Sequence, residues 1–354
     1  MSIFDCSKEM KGFHNDCVTL RESDRHDMRQ RRNAGRKRLQ TGLEAKNLPL
    51  PARHSSQGSY AMRTMIQDDE CDYDIDDGVY FNRDDLSDKH GDRLTPEQAK
   101  RRVADALNRD NRLNENAKIL KNCVRQNYPE GYHIDMPVYR LAPGKEESEP
   151  DDGETDSSRE CELASGDSWV PSDARAVTTW FDNKKKDLND SKEASGYQMR
   201  RIVRLTKAFA RSRKVWKPKV CSGITLTKLI CDELSSYDAR DDQCLYETWK
   251  SIGARLDTST IVNHPVGDTP LAEEGDSEVT FFKEKLDSAL ETLSVLEDGC
   301  TRGEALEAWD EVFNTDYFSN QPGPDEPEDK SSFFISQHDK TDKRSDGGGR
   351  YGSE

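Results

Sequence analysis

Residues 72–82 read DYDIDDGVYFN, a stretch in which acids alternate with apolar and aromatic residues. This period of two is typical of a half-buried β-strand. Side chains of a strand project alternately to its two faces, so Asp74 and Asp76 share one face while Ile75 points to the other. Two carboxylates on one face offer the hard oxygen ligands that Mg²⁺ takes together with phosphate oxygens and water. The stretch therefore predicts a strand that binds a metal ion and a phosphorylated ligand.

Two further segments fit around this strand. YHIDMPVYRL, residues 132–141, is predicted as a second strand, and its Asp135 would supply a third carboxylate for a second ion roughly 3.5–4 Å from the first. Upstream, Gly58 and Ser59 lie on a predicted turn, where a small residue lets backbone N–H groups approach phosphate and a hydroxyl adds a hydrogen bond. The order of these segments predicts a triphosphate held beside the metal.

The same acids allow other interpretations. A calcium-binding loop starting at Asp72 is excluded, because its sixth position is Asp77 instead of Gly and its twelfth is Arg83 instead of Glu. A merely solvated acidic face does not explain the apolar alternation. For Asp135 taken alone, a surface carboxylate in a strand remains as good an interpretation as a metal ligand.

Composition limits the classes of function. The chain has 354 residues, 34% of them charged, and a formal net charge of −16. Proteins that coat a nucleic-acid backbone depend on Lys and Arg to neutralise phosphates, so no stable nucleic-acid complex is expected, whereas free nucleotides need only a few local cations. No apolar run of about eighteen residues and no signal-peptide pattern is present, which favours a cytoplasmic protein away from the membrane.

The nine cysteines argue against a zinc site. They are odd in number and never spaced as C-x-x-C, and the seven histidines do not supply the missing ligand pairs. Reduced, mostly buried thiols are the simplest interpretation.

The chain divides by pattern into four parts. A long charged helix is predicted for residues 19–46, and a helix for Pro96–Arg109 with Thr95 as its N-cap and Gln98 three residues on. Helical periodicity dominates after about residue 196. The predicted parts are an N-terminal helical segment (1–50), a core with a flexible acidic loop near 144–167 (51–182), a helical domain (183–320) and a disordered tail (321–354).

Taken together, the motifs resemble one known family. QGSY, DYDIDDGVYF, HIDMPVY, WVPSDARAVTTWF and RRIVRLTKAFA with CSGITL occur in the same order as in the bacterial cGAS/DncV-like nucleotidyltransferases of CBASS antiphage systems, and at similar spacings. The chain looks most similar to the DncV-type cyclic GMP-AMP synthases, over about residues 57–318. The resemblance implies an α+β fold: a polymerase-β-like nucleotidyltransferase core, with a mixed sheet and helices, joined to a helical C-terminal lobe.

The resemblance also implies an activity. Such an enzyme condenses ATP, GTP or both into a cyclic dinucleotide second messenger with release of pyrophosphate, and a downstream effector reads the product in antiviral signalling. The implied cofactor is Mg²⁺, with Mn²⁺ as a substitute. Two alternatives stay open: a nucleotidyltransferase that adds nucleotides to RNA or another acceptor, and an inactive module that only binds nucleotides.

By the same resemblance, each motif has an implied role. Asp74, Asp76 and Asp135 would form the catalytic metal triad, and the residues implied to bind nucleotide are Gln57, Gly58, Ser59, Lys207, Ser222 and Arg125. Judged without the family, Lys207 is a helix lysine and Ser222 a helix cap.

Two positions depart from the family pattern. Met62 stands where a relative can carry an aromatic residue, so the base preference is not carried over. The chain ends in Gly352, Ser353 and Glu354, whereas many relatives end in a small residue used for conjugation. A ubiquitin-ligase-like partner is therefore left as an open question.

Overall fold

The acidic stretch forms the central strand of a mixed sheet. The computed structural model describes residues 2–68, 73–109, 115–128, 131–142, 161–190 and 196–322. The strands within these ranges are β1 (Arg53–Ser56), β2 (Asp74–Asn82), β3 (Lys118–Ile119), β4 (Val124–Asn127), β5 (His133–Met136), β6 (Val138–Leu141), β7 (Cys161–Ser165) and β8 (Ser168–Pro171). They lie in the order β3-β4-β5-β2-β6-β7-β8, and β1 pairs with β2.

The central strand β2 is parallel to two neighbours in succession. Its first half pairs with β5, which sets Asp76 opposite Asp135. Its second half pairs with β6, which sets Tyr80 opposite Tyr139. The single strand predicted over residues 132–141 is therefore two strands. They divide at Pro137, which has no N–H to donate to a neighbouring strand, while its carbonyl accepts a 2.8 Å hydrogen bond from Val79 N.

Helices surround the sheet and form the second half of the molecule. They are α1 (Ser7–Phe13), α2 (Glu22–Glu44), α3 (Gly58–Met62), α4 (Pro96–Leu107), α5 (Ala174–Asp190), α6 (Gly196–Arg211), α7 (Gly223–Glu233), α8 (Asp241–Thr258), α9 (Ser277–Leu293) and α10 (Arg302–Phe313). The predicted cap of α4 is confirmed, because Gln98 N donates to Thr95 Oγ1 and Thr95 N donates to Gln98 Oε1. The α+β class predicted from the sequence is confirmed. Within the described ranges, no helix is both long and apolar enough to span a bilayer.

The N-terminal residues contribute to both apolar cores. Ile3, Met10 and Phe13 are buried in the core of the helical block. Leu39 and Leu43 of α2 are buried against the sheet instead. The segment 1–50, predicted as a helical part of its own, is thus shared between the two halves.

The structure bears differently on each of the other predicted domain and loop boundaries. Residues up to Ser319 group into a single compact unit, and the boundary predicted between residues 182 and 183 falls inside α5. The acidic loop predicted over 144–167 is wrong at its end, because Cys161–Ser165 forms β7 and pairs with β6 through buried Cys161. Residues 144–160 and nearly all of the predicted tail, from 323 on, lie outside the described residues.

The packing of α2 on α4 requires a glycine at residue 42. A Cβ atom at Gly42 would lie 2.0 Å from the carbonyl oxygen of Ala106. We expect Gly42→Ala to lower the free energy of unfolding by roughly 1–3 kcal/mol, the usual cost of overpacking. Gly253→Ala in α8 is the matched control, because the nearest side-chain atom to its added Cβ is 3.6 Å away. Urea unfolding of both variants checks the expectation, and equal stabilities would contradict it.

Candidate active site

Three carboxylates converge where β2 and β5 run side by side. Asp74 and Asp76 project from the same face of β2, and Asp135 lies opposite Asp76 on β5. One oxygen from each of the three lies within 4.8 Å of the others. The side chain of Asp74 is 48% exposed, whereas that of Asp135 is 9% exposed. The cluster therefore has a buried side and a side open to solvent.

The electrostatics of this cluster favour a bound cation. Burial, and then the nearby charges of Asp74 and Asp135, raise the pKa of Asp76 to about 7. Like charges this close disfavour each other's ionisation unless a positive charge lies between them. Carboxylate oxygens are also the ligands that Mg²⁺ and Mn²⁺ prefer. The residues present thus fit a divalent metal site.

Arg125 on β4 lies against the third carboxylate. Its Nε donates to Asp135 Oδ1 and its Nη2 to Asp135 Oδ2, each at 2.7 Å, and Nη2 lies 3.9 Å from Asp74 Oδ2. This two-point pairing raises the pKa of Arg125 above its usual value. The sequence predicted Arg125 as a nucleotide contact, and the structure places it against Asp135 as the counterion of that carboxylate. The nucleotide contact stays a prediction.

Gly58 and Ser59, which the sequence predicted on a turn, are the first residues of helix α3, and this first turn of the helix, the Gly58–Ser59 turn, sits directly beside Asp76. Gln57 N donates to the backbone carbonyl of Asp76 at 2.8 Å, and Gly58 follows with a φ of +59°. A Cβ atom on Gly58 would lie 2.3 Å from Asp76 Oδ2. A residue with a side chain would therefore meet both backbone strain and a clash with the carboxylate. The predicted neighbourhood of this turn and the paired acids is present.

Gln57 differs from the two residues that follow it. Gln57 is only 4% exposed, and its side-chain amide forms hydrogen bonds with the hydroxyls of Tyr80 and Tyr139. It belongs to the wall of the cleft, with its side-chain amide directed to the tyrosines. Its predicted nucleotide contact is not tested by this arrangement.

A cleft of about 610 Å³ joins the turn and the acids to the helical block. Lys207 of α6 and Ser222, the residue before α7, line its far side. Lys207 Nζ lies 3.1 Å from Thr64 Oγ1 and is buried. Ser222 Oγ accepts from Thr225 N at 3.3 Å, so Ser222 caps α7 and faces the cleft at once.

Two cations of the cleft were not predicted from the sequence. Arg211 and Lys217 line the cleft together with Lys207. Arg211 follows Lys207 by four residues on α6, so helical spacing could have indicated it. Lys217 Nζ lies 3.1 Å from Asp68 Oδ2, and a contact between residues so far apart in the chain leaves no local pattern. The cleft is thus acidic at the sheet and basic at the helices.

A family model and a curated protein are similar in sequence to this chain. Residues 52–139 match the family model described as "Cyclic GMP-AMP synthase DncV-like, nucleotidyltransferase domain". A curated protein from Escherichia albertii, named cyclic GMP-AMP synthase, is 26% identical over 239 residues, which are 65% of this chain and 48% of that protein. The aligned part thus spans about half the length of this relative.

Solved structures share the fold. Vibrio cholerae DncV, described as a cyclic AMP-GMP synthase and solved with a nonhydrolyzable GTP and with the linear intermediate 5′ pppA(3′,5′)pG, superposes with a TM-score of 0.66 at 18% identity, covering 88% of this chain and 96% of that one. Escherichia coli MS115-1 CdnC, solved with ATP, gives a TM-score of 0.62 at 15% identity, covering 88% and 98%. At these identities the likeness shows the fold.

Proposed function

We propose that this chain, whose residues 52–139 carry a DncV-like nucleotidyltransferase domain, condenses ATP, GTP or both into a cyclic dinucleotide and releases pyrophosphate. One observation carries the proposal. Asp74 and Asp76 of the carboxylate cluster line the same cleft as the cations Lys207 and Arg211, with the Gly58–Ser59 turn beside the acids. A metal-bound triphosphate needs both kinds of charge around one cleft.

The acids and the cations have separate tasks in this proposal. Asp74, Asp76 and Asp135 would hold divalent cations, Mg²⁺ or Mn²⁺ in its place, which when bound neutralise the triphosphate and lower the pKa of an acceptor ribose hydroxyl. The chain itself orients the donor. The Gly58 backbone and the Ser59 hydroxyl hold phosphate oxygens on the sheet side, and Lys207 and Ser222 hold them on the helical side.

The reaction is an in-line displacement. The acceptor hydroxyl gives up its proton to water, its oxygen bonds to the donor α-phosphorus, and the bond from that phosphorus to the pyrophosphate oxygen breaks. Asp135 is assigned to the acceptor side. A linear dinucleotide forms first and then turns over, so that its own hydroxyl attacks the second α-phosphate. The linear intermediate solved with Vibrio cholerae DncV supports this order. We further propose that the product is an antiphage signal read by a downstream effector.

The experiment that tests this function identifies the product directly. The purified protein is incubated with the four labelled ribonucleoside triphosphates and Mg²⁺ or Mn²⁺, and the mixture is treated with phosphatase. A phosphatase-resistant product that requires ATP, GTP or both is expected, because a cyclic dinucleotide has no terminal phosphate. Complete conversion to free phosphate in every combination would contradict the proposal.

One observation favours a second function, transfer to an RNA acceptor. A cavity of about 1030 Å³ is lined by arginines of α2 and its N-cap together with Arg63, and Met65 lines both this cavity and the cleft. The arginines at the helix are Arg21, Arg25, Arg29 and Arg32. Helical spacing places these four arginines on one face. Transfer of a labelled nucleotide from the triphosphates to an added RNA oligonucleotide would favour this second function.

Lys207 gives nucleotide binding a specific pH dependence. Burial, and then the charges of Arg211 and Arg204, lower the pKa of Lys207 to about 7. At pH 8 the free protein therefore holds this amine mostly neutral, and a triphosphate beside it raises the pKa and draws in a proton. We expect an uptake approaching one proton at pH 8, much less at pH 6, and an affinity that falls as pH rises above about 7.

Titration calorimetry with a nonhydrolysable ATP analogue, at saturating Mg²⁺ in buffers of different ionisation enthalpy, measures this uptake. Lys207→Arg is the matched control, because a guanidinium is charged at both pH values. The variant should bind without the extra proton at pH 8. Equal proton uptake by the wild type and Lys207→Arg would exclude Lys207 as its source.

A further inference from the structure

Two stacked tyrosines lie directly behind the Gly58–Ser59 turn. Tyr80 on β2 and Tyr139 on β6 face each other in register, with ring centroids 4.5 Å apart and planes inclined by 7°. Their exposed fractions are 0% and 2%. Because the backbone pairing of two central strands fixes both rings, their hydroxyls have defined positions. Burial raises the pKa of both hydroxyls above the usual value, so they stay protonated at neutral pH.

Both hydroxyls bond to one side chain, the amide of Gln57. Gln57 Nε2 donates to the Tyr80 hydroxyl at 2.7 Å, and the Tyr139 hydroxyl donates to Gln57 Oε1 at 3.2 Å. The two ends of the amide are therefore held at once, which fixes the rotation of the side chain. All three groups are buried, where an unmet hydrogen bond is costly.

The residues around the Gln57 amide and the two tyrosines restrict other arrangements of these side chains. A Cβ atom at Gly78 would lie 2.1 Å from Gln57 Nε2, so the strand needs glycine where the amide crosses it. The guanidinium of Arg53 packs over the Tyr80 ring at 4.8 Å and that of Arg175 at 5.6 Å. The tyrosine pair is thus held from the sheet and from both flanking arginines.

The backbone of Gln57 connects this pair to the acids. Gln57 N donates to the carbonyl of Asp76, and Gly58 comes next in the chain, so close to Asp76 that a Cβ would clash with its carboxylate. The start of the turn is thereby fixed at two points: by its backbone to the metal-binding strand and by its side chain to the tyrosines. A shift of the amide would move the turn relative to Asp76.

We propose that Tyr80 and Tyr139 are positioning residues, which through the Gln57 amide hold the Gly58–Ser59 turn at the distance from Asp76 that a metal-bound triphosphate requires. This inference rests on the proposed function. It assigns Gln57 an indirect role, in which its amide binds the tyrosines and its backbone carries the turn to the nucleotide. Small displacements of such binding groups weaken binding even where the fold is intact.

The test removes one hydroxyl at a time and keeps the rings. The affinity for a nonhydrolysable ATP analogue at saturating Mg²⁺ is measured for Tyr80→Phe and Tyr139→Phe, with thermal unfolding of each. We expect each variant to bind the analogue roughly 3–10-fold more weakly, the loss that one hydrogen bond implies. Affinity for Mn²⁺ alone should stay at the wild-type value, because the carboxylates are untouched.

Two comparisons separate positioning from general packing. Tyr128→Phe is the matched control, since its hydroxyl bonds to the carbonyl of Arg31 at 3.3 Å beneath another part of the sheet, and it should leave analogue affinity unchanged. In a Gln57→Met background, Tyr80→Phe should cause little further loss, because both changes break the same contact.

The outcomes are distinct for the inference and for the function. Wild-type binding with unchanged affinity in both tyrosine variants overturns the inference alone, and so does a loss that adds fully to that of Gln57→Met. A wild-type protein that binds no triphosphate with Mg²⁺ overturns the proposed function and the inference with it. If one of the two tyrosine variants does not fold, the analogue affinity of the other still tests the inference.

Discussion

Replacement of Asp76 by Asn is expected to abolish product formation and, in the same variant, to raise the unfolding temperature of the metal-free protein. The two effects have one cause. Asp76 is one of three clustered carboxylates, and burial and the charges of the other two raise its pKa, so its negative charge attracts a cation but destabilises the fold when no cation is bound. Asparagine keeps the size of the side chain and removes the charge.

The loss of activity follows from the loss of a metal ligand. Removing one preorganised electrostatic contact from an active site lowers kcat by about 10²–10³-fold, and a ligand that holds the metal should cost at least as much. Asp74→Asn is expected to have a similar effect, because Asp74 offers a ligand oxygen from the same face of β2. Product formation is measured by the phosphatase-resistance assay.

The gain in stability follows from the raised pKa. The pKa of Asp76 is about 7 in the folded protein and 3.8 in the absence of these surroundings. The folded state therefore binds more protons than the unfolded state between these values, and its stability falls as pH rises through that window. The advantage of Asp76→Asn over wild type should be absent near pH 4, grow towards pH 7 and stay constant above it.

Added Mg²⁺ should make the wild type more stable than Asp76→Asn. A cation that binds only the folded wild type stabilises it by mass action, whereas the variant lacks a ligand and responds weakly. Asp105→Asn on the exposed surface of α4 is the control, and it should change stability by less than about 0.5 kcal/mol with or without metal. Wild-type activity in Asp76→Asn, or a metal-free unfolding temperature below that of wild type at pH 8, would contradict the assignment.

The local part of this site could be predicted from the sequence. Alternation over residues 73–80 placed Asp74 and Asp76 on one face because the period of a strand is fixed at two. Asp135 could be added because its own segment also has the composition of a strand, although only the parallel register sets it opposite Asp76. The capping residues of α4 are equally local, since Thr95 and Gln98 are three positions apart.

Contacts between distant segments could not be predicted. Helix α8 begins with Asp241 and Asp242, which are both buried and are paired with Arg201 and Arg240 respectively. No spacing rule connects Asp241 to an arginine forty positions earlier. For the same reason the sequence could not indicate the pairing of Arg125 with Asp135, which the antiparallel register of β4 and β5 sets opposite each other.

Replacement of the next residue, Asp77 by Asn, is expected to have the opposite effect on stability. Asp77 points to the other face of β2 and is fully buried. Arg36 Nε donates to Asp77 Oδ2 at 2.7 Å, Arg36 Nη2 contacts Oδ1, and Ser56 Oγ lies 3.3 Å from Oδ1. The guanidinium of Arg36 already pairs with Asp77 in the fold. The charge of Asp77 therefore stabilises the folded protein, whereas that of Asp76 does not.

Breaking this pair leaves an arginine without its carboxylate in a largely buried position. Such changes cost 3–5 kcal/mol when both groups are fully buried, and because the Arg36 side chain is 28% exposed we expect about 3 kcal/mol. The free energies of unfolding of Asp77→Asn, Arg36→Gln and the double variant give the coupling between the two residues. Mn²⁺ affinity should remain at the wild-type value in folded Asp77→Asn. A loss of metal affinity as large as that in Asp76→Asn, with stability unchanged, would mean that the two faces of β2 have been assigned the wrong way round.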